Sequence, residues 1–503
     1  MKKSALLSVS DKTHIEELAG FLVAQGYQLI STGGTLAHLK AKGIDAIDVA
    51  EVTHFPAILD GRVKTLSPYV HAGILAKRKR SEHMQTLSEL HIDPIDMVVV
   101  NLYPFFKNAN SGLALEALVE FIDIGGPAML RAAAKSFFDV TVISDVSDCD
   151  WVMKEIKTRG DTALKTRQLL AGKVFNLTAA YDAAISKRLL EEEMPTYLQG
   201  SFQKRMDLRY GENPHQKGAF YTDTTQPGAL RDFVQLHGKT LSFNNLRDMD
   251  MAWKLVQDFG APACCGVKHA TPCGVALGAT VSEAWSGAYA CDPISIFGGI
   301  VAFNRQLDAQ TAKSLNRIFL ELIAAPDFSD EALAVFSKKK NVRLIRIETD
   351  LSDRLAYVKV DGGLLVQQVD NCFSKDFKTV TRAKPTETQL KDLHFAQRVV
   401  KHVKSNAIAV ASQGRALGIS GGETNRIWAA QLAIRRAKEK QAEGLVLASD
   451  GFFPFRDVVD FAAGAGIAAI VQPGGSIRDA ESIAAADAHG MPMVFTGMRH
   501  FKH

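Results

Sequence analysis

The chain has six cysteines but no C-x-x-C spacing, so neither a disulfide framework nor a standard structural zinc site is indicated, and the cysteines read as reduced thiols. No apolar stretch reaches membrane-spanning length. The run Ala5 to Val9 is interrupted by Asp11 and Lys12 before a secretory core forms, so a cytoplasmic location is expected. Excess charge is missing as well. A net +4 over 503 residues is too weak to argue for nucleic acid, though it does not discourage small anionic substrates. The one dense basic run, Lys77-Arg78-Lys79-Arg80, has no interleaved aromatics and reads as solvated surface. With membrane and nucleic acid set aside, the composition (47% hydrophobic, 23% charged) is that of ordinary globular material, and the length calls for two to four domains.

The most informative stretch is Ala263-Cys264-Cys265-Gly266-Val267-Lys268-His269-Ala270-Thr271-Pro272-Cys273-Gly274. A strand-length apolar run delivers Lys268 and His269 together, and Thr-Pro-Cys-Gly is expected to turn the backbone away. A cation and an imidazole where a strand stops suit ligand chemistry, because strand ends are where α/β proteins bind ligands. By itself the dipeptide fits a surface pair in a turn equally well.

The opening third alternates strand and helix. Ala5 to Val9 reads as a strand, Ser10 to Thr13 leads into a helix toward Ala24, and Tyr27 to Ser31 is a second strand. Thr32-Gly33-Gly34-Thr35 reads as a loop ahead of a helix from Leu36 to Lys42, stopped at Gly43. Such units predict a doubly wound parallel sheet. Both loops place hydroxyls and free amides at a helix N-terminus, which favours phosphate, although a Gly-Gly pair also serves as a plain tight turn. Further on stand Gly61-Arg62-Val63-Lys64-Thr65-Leu66-Ser67-Pro68, a buried strand Asp96 to Val100 ending in Asn101-Leu102-Tyr103-Pro104-Phe105, and Asp123-Ile124-Gly125-Gly126-Pro127 before a helix Ala128 to Lys135. Asn, Tyr, Asp and Lys at strand ends form an acid-base set without metal ligands; as separate caps and surface charges they would mean nothing.

These segments resemble a known family. Ser8-Val9-Ser10-Asp11-Lys12-Thr13, Gly61 to Leu66, Asn101 to Phe105, and Asp123 to Gly126 with Arg131-Ala132-Ala133-Ala134-Lys135 are similar to the IMP cyclohydrolase half of the family that joins this activity to AICAR formyltransferase in one chain. The resemblance runs from Leu6 to the C-terminus. It implies a methylglyoxal-synthase-like α/β domain that closes the purine ring without a cofactor. On the matching positions, Ser10, Asp11, Lys12, Thr32, Gly33, Gly34 and Thr35 would hold the nucleotide, chiefly its phosphate. Arg62, Thr65, Asn101 and Ile124 would line base and ribose, with Lys64, Tyr103, Asp123 and Lys135 nearest the chemistry. There Lys64 would stabilise the oxyanion formed when a carboxamide nitrogen attacks a formamide carbon, while Lys135 and Tyr103 exchange protons as water leaves. Ser67 departs from the family's usual His before Pro68, which bears on affinity in this half.

Trp151 to about Glu193 reads as helical, and Pro195 and Gly200 punctuate the segment beyond it, so the domains expected are 1–197 and 198–503. Leu208-Arg209-Tyr210-Gly211-Glu212-Asn213-Pro214-His215-Gln216, Leu241 to Leu246, the Lys268-His269 stretch, Asp292 to Gly299 and Glu321 to Pro326, with a buried strand expected before Glu321, match the formyltransferase half in sequence and order. The family's catalytic dipeptide then falls on Lys268 and His269. Val403-Lys404-Ser405-Asn406 echoes Val267-Lys268-His269, a hint of the two cytidine-deaminase-like subdomains the family has. Residues matching Arg209, Tyr210, His269, Gly298, Glu321, Asn406 and Arg426 serve the nucleotide; those matching Ile427, Phe452, Asp457, Ser476 and Arg499 serve the folate. The aromatic loop Phe452-Phe453-Pro454-Phe455 reads as core or as the bed of a flat heterocycle.

The resemblance therefore implies formyl transfer from 10-formyltetrahydrofolate, the cosubstrate, to the AICAR amine, with His269 as proton acceptor and Lys268 holding the oxyanion. Cyclisation to IMP comes next. It also implies a homodimer with shared formyltransferase sites, and a monovalent cation such as potassium that the sequence does not place. No catalytic metal is expected: a zinc nucleotide deaminase needs His-x-Glu and Pro-Cys-x-x-Cys, whereas Ala270 and Thr271 follow His269 and Cys273 lacks its second cysteine. That deaminase and a non-catalytic nucleotide sensor are the competing readings.

Overall fold

Short apolar runs bounded by polar loops become the inner strands of two separate sheets. A computed structural model describes residues 3–503. The chain divides into two units, residues 1–203 with 223–226, and residues 204–222 with 227–503. Among the described residues, no helix is long and apolar enough to cross a membrane.

In the first unit, β1 (Ser4–Val9), β2 (Gln28–Ser31), β3 (Ile47–Asp48), β4 (Met97–Asn101) and β5 (Thr141–Ile143) form one sheet in the order β3-β2-β1-β4-β5, every neighbouring pair parallel. Ala5 to Leu7 and Met97 to Val100 are buried on both faces, which is why those strands are unbroken apolar runs. From β1 the chain winds outward to β2 and β3, then returns to β4 on the other side, so a crevice opens at the carboxyl ends of β1 and β4.

Three details differ from the sequence reading. The helix Gly33–Ala41 begins at the Gly-Gly pair, because Thr32, extended at φ −124°, is its N-cap. The helical stretch after Trp151 is two helices, Cys149–Arg159 and Leu164–Leu189; Gly160 at φ +77° ends the first. In the basic run, Arg78 is half-buried, with its guanidinium on the carbonyls of Gly73, Ala76 and Ile95, while its three neighbours are exposed.

Two hairpins stand outside the large sheet of the second unit: β6 (Phe202–Leu208) with β7 (Gly218–Asp223), and β14 (Leu355–Val360) with β15 (Gly363–Gln368). The large sheet has twelve strands. One half contains β8 (Val234–His237), β9 (Ala263–Lys268), β10 (Thr271–Leu277), β11 (Ile300–Phe303), β12 (Leu322–Ala325) and β13 (Arg343–Arg346). The other contains β16 (Lys378–Thr379), β17 (Ile408–Ser412), β18 (Arg415–Ser420), β19 (Val446–Ser449), β20 (Ala469–Gln472) and β21 (Met493–Phe495). The order β16-β21-β20-β19-β17-β18-β10-β9-β11-β12-β13-β8 is one topology written twice, joined where β10 meets β18 antiparallel. In each half a hairpin is followed by one antiparallel step, two parallel steps and an antiparallel edge strand.

The duplication hinted at by sequence is thus present in the topology, but not between the segments that echo each other. Lys268 ends β9, whereas Lys404 precedes β17; the counterpart of Lys268-His269 is Ser412-Gln413. The turn after β9 is His269-Ala270, and Thr271-Pro272-Cys273-Gly274 opens the returning strand. Glu321 immediately precedes its buried strand, which is Leu322–Ala325, rather than following it.

Candidate active sites

In the first unit the crevice is shaped by side chains that tie strand ends together. Asn101, closing β4, accepts the N–H groups of Ser10 and Asp11 on Oδ1 at 2.6 and 3.0 Å and donates to the Asp11 carbonyl at 2.7 Å. Thr35 Oγ1 exchanges hydrogen bonds with the Val9 backbone at 3.0 Å, and Ser8 and Thr32 share one at 2.8 Å. These bonds set the loop after β1 against the N-terminus of helix Gly33–Ala41. Two ammonium groups close over the same turn. Lys64 Nζ lies 3.8 Å from where a Cβ of Gly33 would stand, and Lys12 Nζ 3.9 Å from that of Gly34. Free helix amides and two cations make an anion cradle.

Beside it stands the acid-base group. Asp123 Oδ1 accepts from Gly126 N–H at 2.8 Å. Burial pushes its pKa up, opposed by backbone hydrogen bonds from Gly126 and Tyr103 and by the nearby Lys64 charge. Burial, then the Asp123 charge, raises the Tyr103 phenol. Thr65 is buried, with Oγ1 against Gly125. Arg62 is exposed and paired with Glu120, Asp11 caps its own loop by accepting from Thr13, and Ile124 is 61% exposed at the entrance to helix Gly125–Lys135. That helix starts earlier than the sequence suggested. Lys135 is its last residue, exposed and about 15 Å along the axis from Gly125 at 1.5 Å per residue. Ser67 caps helix Pro68–Leu75 by accepting from Tyr69 N–H, a structural task for the residue that departs from the family pattern.

In the second unit both halves of the sheet contribute to one edge. β9 runs opposite to β10, β10 to β18 and β18 to β17, so the end of β9 and the start of β17 lie on the same side. The first half presents the exposed His269 there, with Lys268 donating to the Phe297 carbonyl at 3.0 Å. Gly298 at φ +71° and Glu321, paired with the buried Arg343 at 2.6 Å, stand at the starts of β11 and β12. The second half presents Asn406, and Arg426 beneath it. Arg426 is buried and held by Ser449 Oγ, by Asn406 Oδ1 and by the fully buried Asp450, which also binds Ser405 Oγ and the Ala407 N–H.

A cleft of about 420 Å³ opens beside this network, lined by Asn406, Arg426, Ile427, Phe452, Phe455 and Asp457 among others. The aromatic loop divides its duties: Phe453 is core and Phe452 and Phe455 face the cleft. Arg499 stacks on Phe501 at the cleft wall, while Ser476 stands outside the lining, capping Arg478, whose guanidinium lies on Phe455. Arg209 and Tyr210 stack on each other after β6, a loop anchored to helix Phe243–Gln257 through Glu212 with Asn244 and Arg247. Burial pushes the Cys273 thiol up to about 12, and it donates to the Gly266 carbonyl. All six cysteines are free, and among the described residues there is no cluster of three His, Cys, Asp or Glu able to hold a metal.

Sequence reasoning missed three residues. Tyr181 accepts the Asp123 N–H at 2.9 Å and donates to the Phe121 carbonyl at 2.7 Å; a tyrosine in the buried stripe Leu170, Val174, Thr178 of its helix was the available signal. Asp450, an acid directly after an apolar strand, needed a buried cation. Asp248, which accepts the Ala270 N–H at 2.7 Å beside His269, carried no signal of its own.

An anion cradle with an acid-base group in one unit, and an exposed Lys-His turn on the same sheet edge as an aromatic cleft in the other, are the two candidate sites of an α/β enzyme for small phosphorylated and heterocyclic substrates. Comparison with known proteins is specific. Residues 14–128 match the model of the MGS-like domain, and residues 133–436 that of the AICARFT/IMPCHase bienzyme. The bifunctional purine biosynthesis protein PurH of Clostridium botulinum (strain Okra / Type B1) is 58% identical over 503 residues, covering all of both chains, and PurH of Fusobacterium nucleatum subsp. nucleatum is 56% identical, again over the whole of both. A solved structure of ForH is 37% identical, over 37% of this chain and 96% of its own, at a TM-score of 0.34. The chain belongs to the AICARFT/IMPCHase bienzyme family: a bifunctional formyltransferase and cyclohydrolase of purine biosynthesis, with an MGS-like domain at its N-terminal end.

Proposed function

We propose that the two reactions divide between the two units, with formyl transfer at the Lys268-His269 edge and ring closure in the Lys64-Tyr103-Asp123 crevice. In the first step the AICAR amine, deactivated by its ring, attacks the formyl carbon of 10-formyltetrahydrofolate. His269 takes the amine proton, Lys268 holds the tetrahedral oxyanion, and collapse expels the folate nitrogen, which is reprotonated. Asn406 and Arg426, fixed by Asp450, orient the nucleotide while the Phe452 cleft receives the pterin, so much of the acceleration comes from alignment.

In the second step the carboxamide nitrogen attacks the new formamide carbon. Lys64 stabilises the oxyanion, and Lys135 and Tyr103 exchange protons as water leaves, with Asp123 beside them. Ser10 to Lys12 and the turn from Thr32 to Thr35 hold the phosphate.

The observation that carries the reading is the exposed imidazole sharing an edge with Asn406, Arg426 and the aromatic cleft. His269→Ala is expected to lower formyl transfer by about 10²–10⁴-fold while cyclisation of supplied formyl-AICAR stays intact. Loss of both activities in a folded variant, or transfer at the parent rate, overturns the assignment.

The reading extends to two cytidine-deaminase-like subdomains, supported by the repeated topology, to a cytoplasmic location, and to a homodimer sharing formyltransferase sites. Ile294 and Phe297, 85% and 56% exposed beside the carbonyl that binds Lys268, are apolar surface that a second copy would cover. Sedimentation at assay concentration decides the last point, since a monomer with full transferase activity contradicts it.

A further inference from the structure

Each half of the twelve-stranded sheet closes its central hairpin with a turn that is left-handed at both residues. Between β9 and β10 these are His269 (φ +55°) and Ala270 (φ +52°); between β17 and β18 they are Gln413 (φ +52°) and Gly414 (φ +65°). In each half the sixth residue of the preceding helix is an aspartate that accepts hydrogen bonds from the turn. Asp248, in Phe243–Gln257, takes the Ala270 N–H at 2.7 Å. Asp392, in Glu387–Lys401, takes those of Gln413 at 2.9 Å and Gly414 at 2.8 Å.

The device is the same, but the strain it holds is not. Glycine enters the left-handed region freely, whereas a residue with a Cβ meets its own carbonyl there. The second half uses a glycine and its turn carries no catalytic side chain. The first half has no glycine in the turn, so two strained residues must be held by something outside it. The group that holds them is the Asp248 carboxylate, half-buried and close enough to His269 to interact with its charge. The next residue back, Arg247, pairs with Glu212 and so holds the Arg209-Tyr210 loop from the same helix turn.

We propose that Asp248 is a positioning residue for formyl transfer: its carboxylate fixes the left-handed His269-Ala270 turn and thereby aims the imidazole at the amine. This rests on the reading of His269 as proton acceptor. The test uses the full chain and both assays with five variants: Asp248→Ala, Asp248→Asn, Asp392→Ala, His269→Ala, and Asp248→Ala combined with Ala270→Gly. Misplacing a catalytic group by about 1 Å costs on the order of 10²-fold, so Asp248→Ala should lower transferase kcat by about 10–100-fold with KM for both substrates nearly unchanged and cyclohydrolase intact. Asp248→Asn, which keeps an acceptor oxygen, should lose less. Ala270→Gly should restore part of kcat by letting the turn form without its cap, and Asp392→Ala should leave transfer at the parent rate. Parent kcat in Asp248→Ala, an equal fall in Asp392→Ala, a loss confined to KM, or absence of rescue overturns the proposal while a dead His269→Ala leaves the site assignment standing. An active His269→Ala overturns the site assignment itself. Should Asp248→Ala not fold, Asp248→Asn carries the same comparison of kcat with KM.

Discussion

Asp123 is asked to be both a charged catalyst and a buried side chain. Burial raises its pKa above the ordinary 3.8, and the amides of Gly126 and Tyr103 together with Lys64 only partly oppose this. A carboxyl whose folded pKa exceeds its unfolded one favours folding when protonated. That contribution is complete below the unfolded value and is lost as pH rises through the folded one. At neutral pH the ionised group is therefore a net cost to the fold, held for chemistry. Asp123→Asn should raise Tm at pH 7, flatten the decline in stability as pH rises from below 3.8, and lower cyclisation by about 10²–10⁴-fold. Thermal denaturation across pH beside the formyl-AICAR assay checks it, and a Tm at or below the parent's sinks the argument. Tyr181 shows the supporting side of the same site. Burial pushes its phenol up to about 12, so it remains a hydroxyl bridging the Asp123 N–H and the Phe121 carbonyl. Tyr181→Phe leaves both partners unpaired and should cost about 1–3 kcal/mol, lowering cyclohydrolase but not transfer.

At the scale of elements, helix Gly125–Lys135 joins the crevice to the rest of the first unit, and its first two residues cannot carry side chains. A Cβ on Gly125 would stand 2.7 Å from Thr65 Oγ1, and one on Gly126 would run into the Asp123 carboxylate. Gly125→Ala should therefore displace the Thr65 loop, destabilise by about 1–3 kcal/mol and impair cyclisation, with formyl transfer at the parent rate. Denaturant unfolding and the two assays measure this, and an unimpaired cyclohydrolase would show that the Thr65 loop has room to move. Much of this architecture was readable from residues alone. β1, β4 and β9 are apolar runs because they are buried on both faces, and the phosphate-type loops are set by strand-to-helix spacing. What was not readable depended on length in space. The helix that ends at Lys135 begins at Gly125 rather than Ala128, so its first residues lie against Thr65 and Asp123. The Val403-Lys404 echo looked like a second copy of Val267-Lys268 and reaches the same edge of the sheet, but from the opposite end of the corresponding strand. The left-handed turn at His269-Ala270 was hidden because neither residue is a glycine, and the Thr-Pro-Cys-Gly after it looked like the turn instead.

No hydrophobic cluster among the described residues mixes the two units: the largest of the first spans Ala5 to Val174, and the second has one spanning Leu208 to Val494 and two more on its large sheet. Each candidate site is built from side chains of its own unit, so damage to one chemistry should leave the other whole. Asp123→Asn should then be a transferase that accumulates formyl-AICAR, and His269→Ala a cyclohydrolase idle until that intermediate is supplied. Neither variant alone should turn AICAR and 10-formyltetrahydrofolate into IMP at more than a trace rate. Mixed in equal amounts they should, after a lag, because the intermediate leaves one chain and must build up before the other consumes it. The lag should shorten in proportion as the His269→Ala component is raised, since the steady level of formyl-AICAR falls with the capacity that removes it. Following IMP formation against variant ratio tests this directly. A mixture that makes no IMP although each variant keeps its own half-reaction would mean that the intermediate is not released, and the two sites would then have to be treated as one.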